Sequence, residues 1–207
     1  MSNSILRAEE YRCLEKLTLE GRILDVGGSK HSGYHELIKG SHTYTAINLY
    51  EKSEPDVFVD IEKTFPFEDE TFDHSICLNV MEHIFDTHTA FSEQVRCVKR
   101  GGTLVFATPF MHHIHGSPDD YCRYTASTYS KLAEKYNCSI VSIETLGKGF
   151  FSLGFQTIRG AIPFDILRNG VQNLSVGLDI VFNKCSKQYR HLSETIPLGY
   201  FVILNKN

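Results

Sequence analysis

No clustered run of lysine and arginine marks this chain. Its formal net charge is −4 over 207 residues, so it carries no electrostatic footprint for a phosphate backbone, and no nucleic-acid partner is expected. It also lacks any stretch of about 18 uninterrupted apolar residues, which excludes an expected membrane-spanning helix. The N-terminus has Glu9 and Glu10 early and no apolar core segment, so no signal peptide is expected. No two of the six cysteines (Cys13, Cys77, Cys97, Cys122, Cys138, Cys185) are spaced as a CxxC pair. Scattered cysteines within apolar runs behave as small hydrophobes, and we read them as reduced thiols of a cytoplasmic protein. Repeats and low-complexity segments are lacking too. What is present is 42% apolar and 22% charged residues, the balance of an ordinary soluble protein, in a length that suits one compact domain spanning 1–207.

Periodicity predicts an N-terminal helix over about 5–17, with Leu6, Cys13, Leu14 and Leu17 near one face. Strands are predicted at 22–26, 43–49, 57–61, 72–80, 103–108, 139–146 and 199–204. A short helix is predicted over 33–39. Asp86 or Thr87 is placed to cap a helix carrying Phe91, Val95 and Val98, with Lys99 and Arg100 in its last turn and Gly101-Gly102 stopping it. Thr125 is placed to cap another, with Tyr129, Leu132, Ala133 and Tyr136. This alternation predicts an α/β fold: a Rossmann-like, mostly parallel, seven-stranded sheet with helices on both faces. Such sheets bind ligands beyond the carboxyl ends of their strands. Asp25, Gly27, Asn48, Asp60, Asn79 and Thr108 are therefore expected to converge on one crevice.

Three blocks carry the chemistry. The first is Ile23-Leu24-Asp25-Val26-Gly27-Gly28-Ser29, a buried strand opening into glycines that let a ligand approach the backbone. The second is Val59-Asp60-Ile61 with Phe65-Pro66-Phe67 and Phe72-Asp73, and the third is Leu78-Asn79-Val80-Met81-Glu82-His83. Val98 to Leu104 adds a helix-Gly-Gly-strand passage. In order and spacing these blocks resemble class I S-adenosylmethionine-dependent methyltransferases of the type 11-like group. The resemblance covers about 23–146 and the last strand. It implies S-adenosyl-L-methionine as cofactor. Asp25, Gly27 and Gly28 would lie by its amino-acid end and sulfonium, Asp60 would take the adenine amino group with Ile61 against the ring, and Asn79 and Val80 would line the methionine moiety. It implies that Asp73 and Glu82-His83 order the structure. Asn48, with Leu49 beside it, stands where the family usually has an acidic residue for the ribose diol. An amide lacks that charge assistance, and Ser29 replaces a common second glycine.

The stretch Thr108 to Thr125 resembles a loop of methyltransferases from cell-surface polysaccharide gene clusters, which implies a role in polysaccharide biosynthesis and a sugar or glycan hydroxyl as acceptor. His113 and His115 are the candidate bases for that hydroxyl's proton. His112, Asp119, Tyr121 and Arg123 are candidate substrate-binding residues, and Asp120 and Tyr124 could assist them. The histidines at 112, 113 and 115 also raise a metal site with Asp119 or a purely structural network, and no metal is assigned. Residues 147–191 read as a helical insertion of two helices, a lid or a surface for a peripheral membrane or dimer contact. The rival reading is a non-catalytic cofactor-fold subunit. A nicotinamide oxidoreductase is disfavoured by the missing GxGxxG run, and a zinc hydrolase is the weakest alternative.

Overall fold

The computed structural model describes residues 4–116 and 118–207. Seven strands form one sheet: β1 (Gly21–Val26), β2 (His42–Asn48), β3 (Val57–Phe58), β4 (Phe72–Leu78), β5 (Val98–Pro109), β6 (Cys138–Leu146) and β7 (Gly199–Lys206). Their spatial order is β3-β2-β1-β4-β5-β7-β6. The first five pair in parallel, while β7 runs antiparallel between β5 and β6. Chain order reverses direction between β1 and β4, so a crevice opens beyond their carboxyl ends.

The described residues form six α-helices: α1 (Ile5–Leu14), α2 (Thr87–Cys97), α3 (Ala126–Lys135), α4 (Phe150–Ile158), α5 (Asp165–Cys185) and α6 (Lys187–Ser193). Side chains alternate across β1. Leu24 and Val26 join Phe91, Phe106, Tyr129 and Leu132 under α2 and α3. Ile23 joins Leu6, Leu14, Val105, Phe155 and Phe201 under α1 and α4. Both sheet faces are thus buried, which is why the central strands read as near-continuous apolar runs. The six cysteines are all free thiols. Among the described residues, no helix is long and apolar enough to cross a membrane.

Several boundaries differ from expectation. The helix predicted over 33–39 is only a 3-10 turn at His35–Leu37. Asp86 caps α2 as predicted, accepting the Thr89 N–H at 3.1 Å, but the helix ends at Cys97. Lys99 and Arg100 therefore lie in β5, not in a last helical turn. Lys99 Nζ bonds Asp73 Oδ1 at 2.7 Å instead, and Gly101-Gly102 sits at a register irregularity of the β4–β5 pair. The strand predicted over 57–61 is just two residues long.

The insertion holds three helices and a 3-10 turn where two helices are predicted. Its anchor is Asp179 of α5, which is fully buried. The carboxylate accepts the Phe151 and Ser152 N–H groups at 3.0 and 2.7 Å and the Tyr189 hydroxyl. A side chain from one helix thereby satisfies the orphan donors at the start of another and joins α6 to both. Gly149 makes the approach possible, since its φ is +150° and a Cβ there would stand 2.7 Å from Asp179 Oδ1.

Candidate functional site

A cavity of about 410 Å³ opens beyond the ends of β1, β2 and β4. Gly27, Asn48, Leu49, Asp60, Ile61, Asn79 and Val80 line it together, with His83, Asp119 and Tyr121 closing one side. Seven of the nine residues expected around the cofactor thus share one wall. The local backbone explains the shape. Gly27 turns out of β1 at φ +77°, and a Cβ there would strike Val80 Cγ2 at 2.3 Å. Asn79 leaves β4 in the left-handed region, φ +56°, a conformation Asn tolerates better than most residues. Its N–H bonds Ala107 O at 2.8 Å.

Asn48 does something the sequence does not announce. Its Nδ2 donates to Gly27 O at 2.8 Å and Gly28 O at 3.1 Å, while its Oδ1 accepts the Tyr50 N–H at 3.1 Å. The amide ties the glycine turn to the end of β2, and only an amide has both donors and an acceptor for these three bonds.

Asp25 and Gly28 are not on the cavity wall. Asp25 is fully buried. It receives the Tyr34 hydroxyl at 2.9 Å and His35 Nε2 at 2.7 Å, both supplied by the turn that replaces the expected helix. Burial raises its pKa, against the hydrogen bond and charge of His35 and the Tyr34 bond. Gly28 lets this carboxylate tuck beneath the turn, because a Cβ there would meet Asp25 Oδ2 at 2.0 Å. Asp25 thus braces the turn from behind.

The loop after β5 is bolted to the turn after β4. Tyr121 and Cys122 N–H groups donate to Glu82 O at 2.8 and 3.2 Å, and the Tyr124 hydroxyl donates to Met81 O at 2.9 Å. Within the loop Arg123 grips Asp120 through both ends of its guanidinium, which holds the Asp120 carboxyl well below the usual range. The His113 carbonyl accepts from His112 Nδ1 and His115 Nδ1 at 3.1 Å and from Arg123 Nη2 at 3.3 Å. Arg123 thereby shapes the loop.

The three loop histidines separate. His113 turns away and donates from Nε2 to Thr157 O of α4 at 3.0 Å, so it does not reach the cofactor cavity. His112 and His115 line a second cavity of about 220 Å³ with Arg7, Glu10, Asn79 and Pro109. Asn79 lies on both cavities and divides them. A larger surface depression of about 910 Å³ between the start of α2 and α3 includes no strand-end residue.

Two buried acids by this divide were missed as site residues. Glu10 of α1 accepts from Asn79 Nδ2 at 3.1 Å and pairs with Arg7 at 3.4 Å; burial raises its pKa against both partners. Its signal was legible, since Glu10 interrupts the apolar face of Leu6, Cys13, Leu14 and Leu17 at helical spacing. Glu82 is fully buried, and neither side-chain oxygen has a hydrogen-bond partner among the described residues. Burial pushes its carboxyl up to about 8.

This architecture, a Rossmann-like sheet with an antiparallel β7 and a cavity at the β1/β4 reversal, defines the methyltransferase fold. Residues 24–106, two fifths of the chain, match the family model described as a methyltransferase domain. Solved structures agree on the fold. Geranyl diphosphate C-methyltransferase from Streptomyces coelicolor A3(2), in complex with Mg2+, geranyl diphosphate and S-adenosyl-L-homocysteine, is 14% identical at a TM-score of 0.63, covering 98% of this chain and 81% of its own. Haemonchus contortus phosphoethanolamine N-methyltransferase 2, with S-adenosyl-L-methionine, is 15% identical at 0.56, covering 97% and 51%. The [4+2]-cyclase SpnF is 16% identical at 0.60, covering 95% and 80%. No curated protein matches the chain. The chain thus shares the fold of these methyltransferases and, over 24–106, is similar to a methyltransferase domain.

Proposed function

We propose that the chain binds S-adenosyl-L-methionine in the 410 Å³ cavity and transfers its methyl group to a hydroxyl of a sugar or glycan intermediate. The observation that carries this is the convergence of Gly27, Asn48, Asp60 and Asn79, from four separate segments, on one cavity of ligand size. In this reading Asp60 and Ile61 take the adenine, Leu49 and the backbone near Asn48 take the ribose, and Asn79 and Val80 flank the methionine moiety. The acceptor enters beside Asn79 from the second cavity, past His112 and His115, toward Asp119 and Tyr121 on the side of the first. The sulfonium is already reactive, so the chain has to align sulfur, methyl carbon and acceptor oxygen and keep water out. His115 Nδ1 donates to a carbonyl, which leaves Nε2 free of hydrogen and able to take the hydroxyl proton.

The polysaccharide assignment rests on the likeness of the loop from Thr108 to Thr125. The insertion 147–191 leaves Ile166, Leu174 and Val181 exposed, the surface we assign to a second copy or a membrane-adjacent acceptor. A calorimetric titration with S-adenosyl-L-methionine tests the core of the proposal. Binding that weakens in Asp60→Ala supports it, and no heat at millimolar ligand overturns it. Binding without methylation of any glycan extract favours the rival non-catalytic subunit.

A further inference from the structure

We propose that Glu82, His83 and His115 form a site for one divalent first-row transition ion at the border of the two cavities. His83 Nε2 lies 3.7 Å and His115 Nε2 3.9 Å from the same oxygen, Glu82 Oε1. All three candidate ligand atoms lie within 4.8 Å of one another. These separations are too long for hydrogen bonds, so the histidines do not satisfy the carboxylate. A fully buried carboxylate with both oxygens unpartnered is costly unless something else meets it. An ion with ligand bonds of about 2.0–2.2 Å holds its ligands roughly 3.4 Å apart in a tetrahedron. The two histidine–carboxylate separations exceed that by only a few tenths of an ångström, and the remaining pair lies within 4.8 Å.

The imidazoles are oriented for this role. His83 Nδ1 donates to Asp119 O at 2.6 Å. His115 Nδ1 donates to His113 O at 3.1 Å and lies 3.4 Å from Asp120 Oδ2. Each Nδ1 is thus the protonated nitrogen and each Nε2 lone pair faces Glu82. This is how ligating histidines are held, by a carbonyl or carboxylate behind the ring. The geometry of the loop then has a purpose: Arg123 locks Asp120, and Asp120 also accepts the His115 N–H at 2.9 Å. Two imidazoles and one carboxylate suit a zinc, cobalt, manganese or iron(II) ion better than magnesium or calcium. Three protein ligands leave open positions.

Those positions face the place where the acceptor stands, and this extension rests on the proposed methyl transfer. A coordinated acceptor hydroxyl would give its proton to solvent more readily. Its oxygen would form the new bond to the methyl carbon as the carbon–sulfur bond breaks and the electron pair stays on sulfur. His115 would then act as ligand, replacing the role of base.

The test uses the untagged full chain, freed of metal by chelation and titrated with Zn2+ by calorimetry and with Co2+ by visible absorption. One ion per chain is expected. Glu82→Gln, which keeps the shape of the buried side chain, and His115→Ala, on the loop, should each weaken binding at least about tenfold. His191→Ala on α6 should leave it unchanged. No ion bound at about 100 µM, or equal affinity in Glu82→Gln with folding confirmed by circular dichroism, overturns the site. A parallel titration with S-adenosyl-L-methionine separates the readings. Ion binding without cofactor binding sinks the methyltransferase proposal and leaves the site; cofactor binding without an ion does the reverse.

Discussion

Replacing Asn48 by Asp sets two lines of reasoning against each other. By resemblance alone, Asn48→Asp restores the acidic residue usual at this place and should tighten cofactor binding through the ribose diol. The hydrogen bonds demand the opposite. Asn48 Nδ2 donates to two backbone carbonyls, Gly27 O and Gly28 O, and a carboxylate has no hydrogen to give them. Two lost bonds cost about 0.5–1.5 kcal/mol each, and leaving buried acceptors unpaired adds roughly 1–3 kcal/mol. The side chain is only 8% exposed, so solvent does little to relieve a negative charge set against two carbonyl oxygens. We expect a loss of about 3 kcal/mol in urea unfolding, which for a chain of this size lowers Tm by roughly 6–12 °C. Cofactor affinity should fall as well, since the glycine turn that forms the cavity wall is released. An Asn48→Asp variant as stable as the parent, binding S-adenosyl-L-methionine more tightly, would refute the reasoning and restore the family's diol contact.

Other perturbations follow from the same bonds. Asp179→Ala strips the Phe151 and Ser152 N–H groups and the Tyr189 hydroxyl of a buried acceptor; we expect about 3 kcal/mol of destabilisation by denaturant titration, and a change under about 0.5 kcal/mol would refute the anchor. Asp73 is held below the ordinary carboxylate range by the Arg22 N–H and then by Lys99. A depressed carboxylate adds stability above its unfolded value of about 3.9 that is lost as pH falls. Asp73→Asn should therefore flatten the acid side of a Tm–pH profile, and an unchanged slope below pH 4 refutes this. Glu10 has the opposite sign: burial raises its folded pKa, so stability is fully present below the unfolded value of about 4.3 and falls as pH rises through the folded one. Glu10→Gln should gain on the parent as pH rises above about 5, and parallel profiles would count against a protonated, buried Glu10.

The sheet was legible because its evidence is local and repeated. Ile23, Leu24 and Val26 feed both faces of a doubly covered sheet, and the glycines after them mark the turn. Boundaries failed where long-range partners decide. Lys99 and Arg100 have the pattern of a helix end, but Asp73, 26 positions away, holds Lys99 in a strand. The short turn at His35–Leu37 stands where periodicity suggested a helix because Tyr34 and His35 are drawn onto Asp25. The site shows the same division. Gly27, Asp60 and Asn79 lie at strand ends, which topology alone brings together. Asp25 sits at such an end as well, but alternation points it to the other face of β1, a period-2 consequence that motif spacing conceals.

The loop histidines carry this argument furthest. In sequence, His112, His113 and His115 form one cluster, and spacing alone cannot tell ligand, base or brace apart. In the fold a single carbonyl sorts them. His113 sends its ring to Thr157 of α4 and turns its own carbonyl toward the Nδ1 atoms of His112 and His115. That choice fixes the tautomer of His115, and the Asp119 carbonyl fixes His83 in the same sense. Both open nitrogens then face Glu82, a residue from a different block of sequence whose two oxygens stand unpartnered among the described residues. A loop held only for shape would have no reason to leave a buried carboxylate and two aligned lone pairs unmet. Those three groups are what place the proposed ion at the border between the cavities.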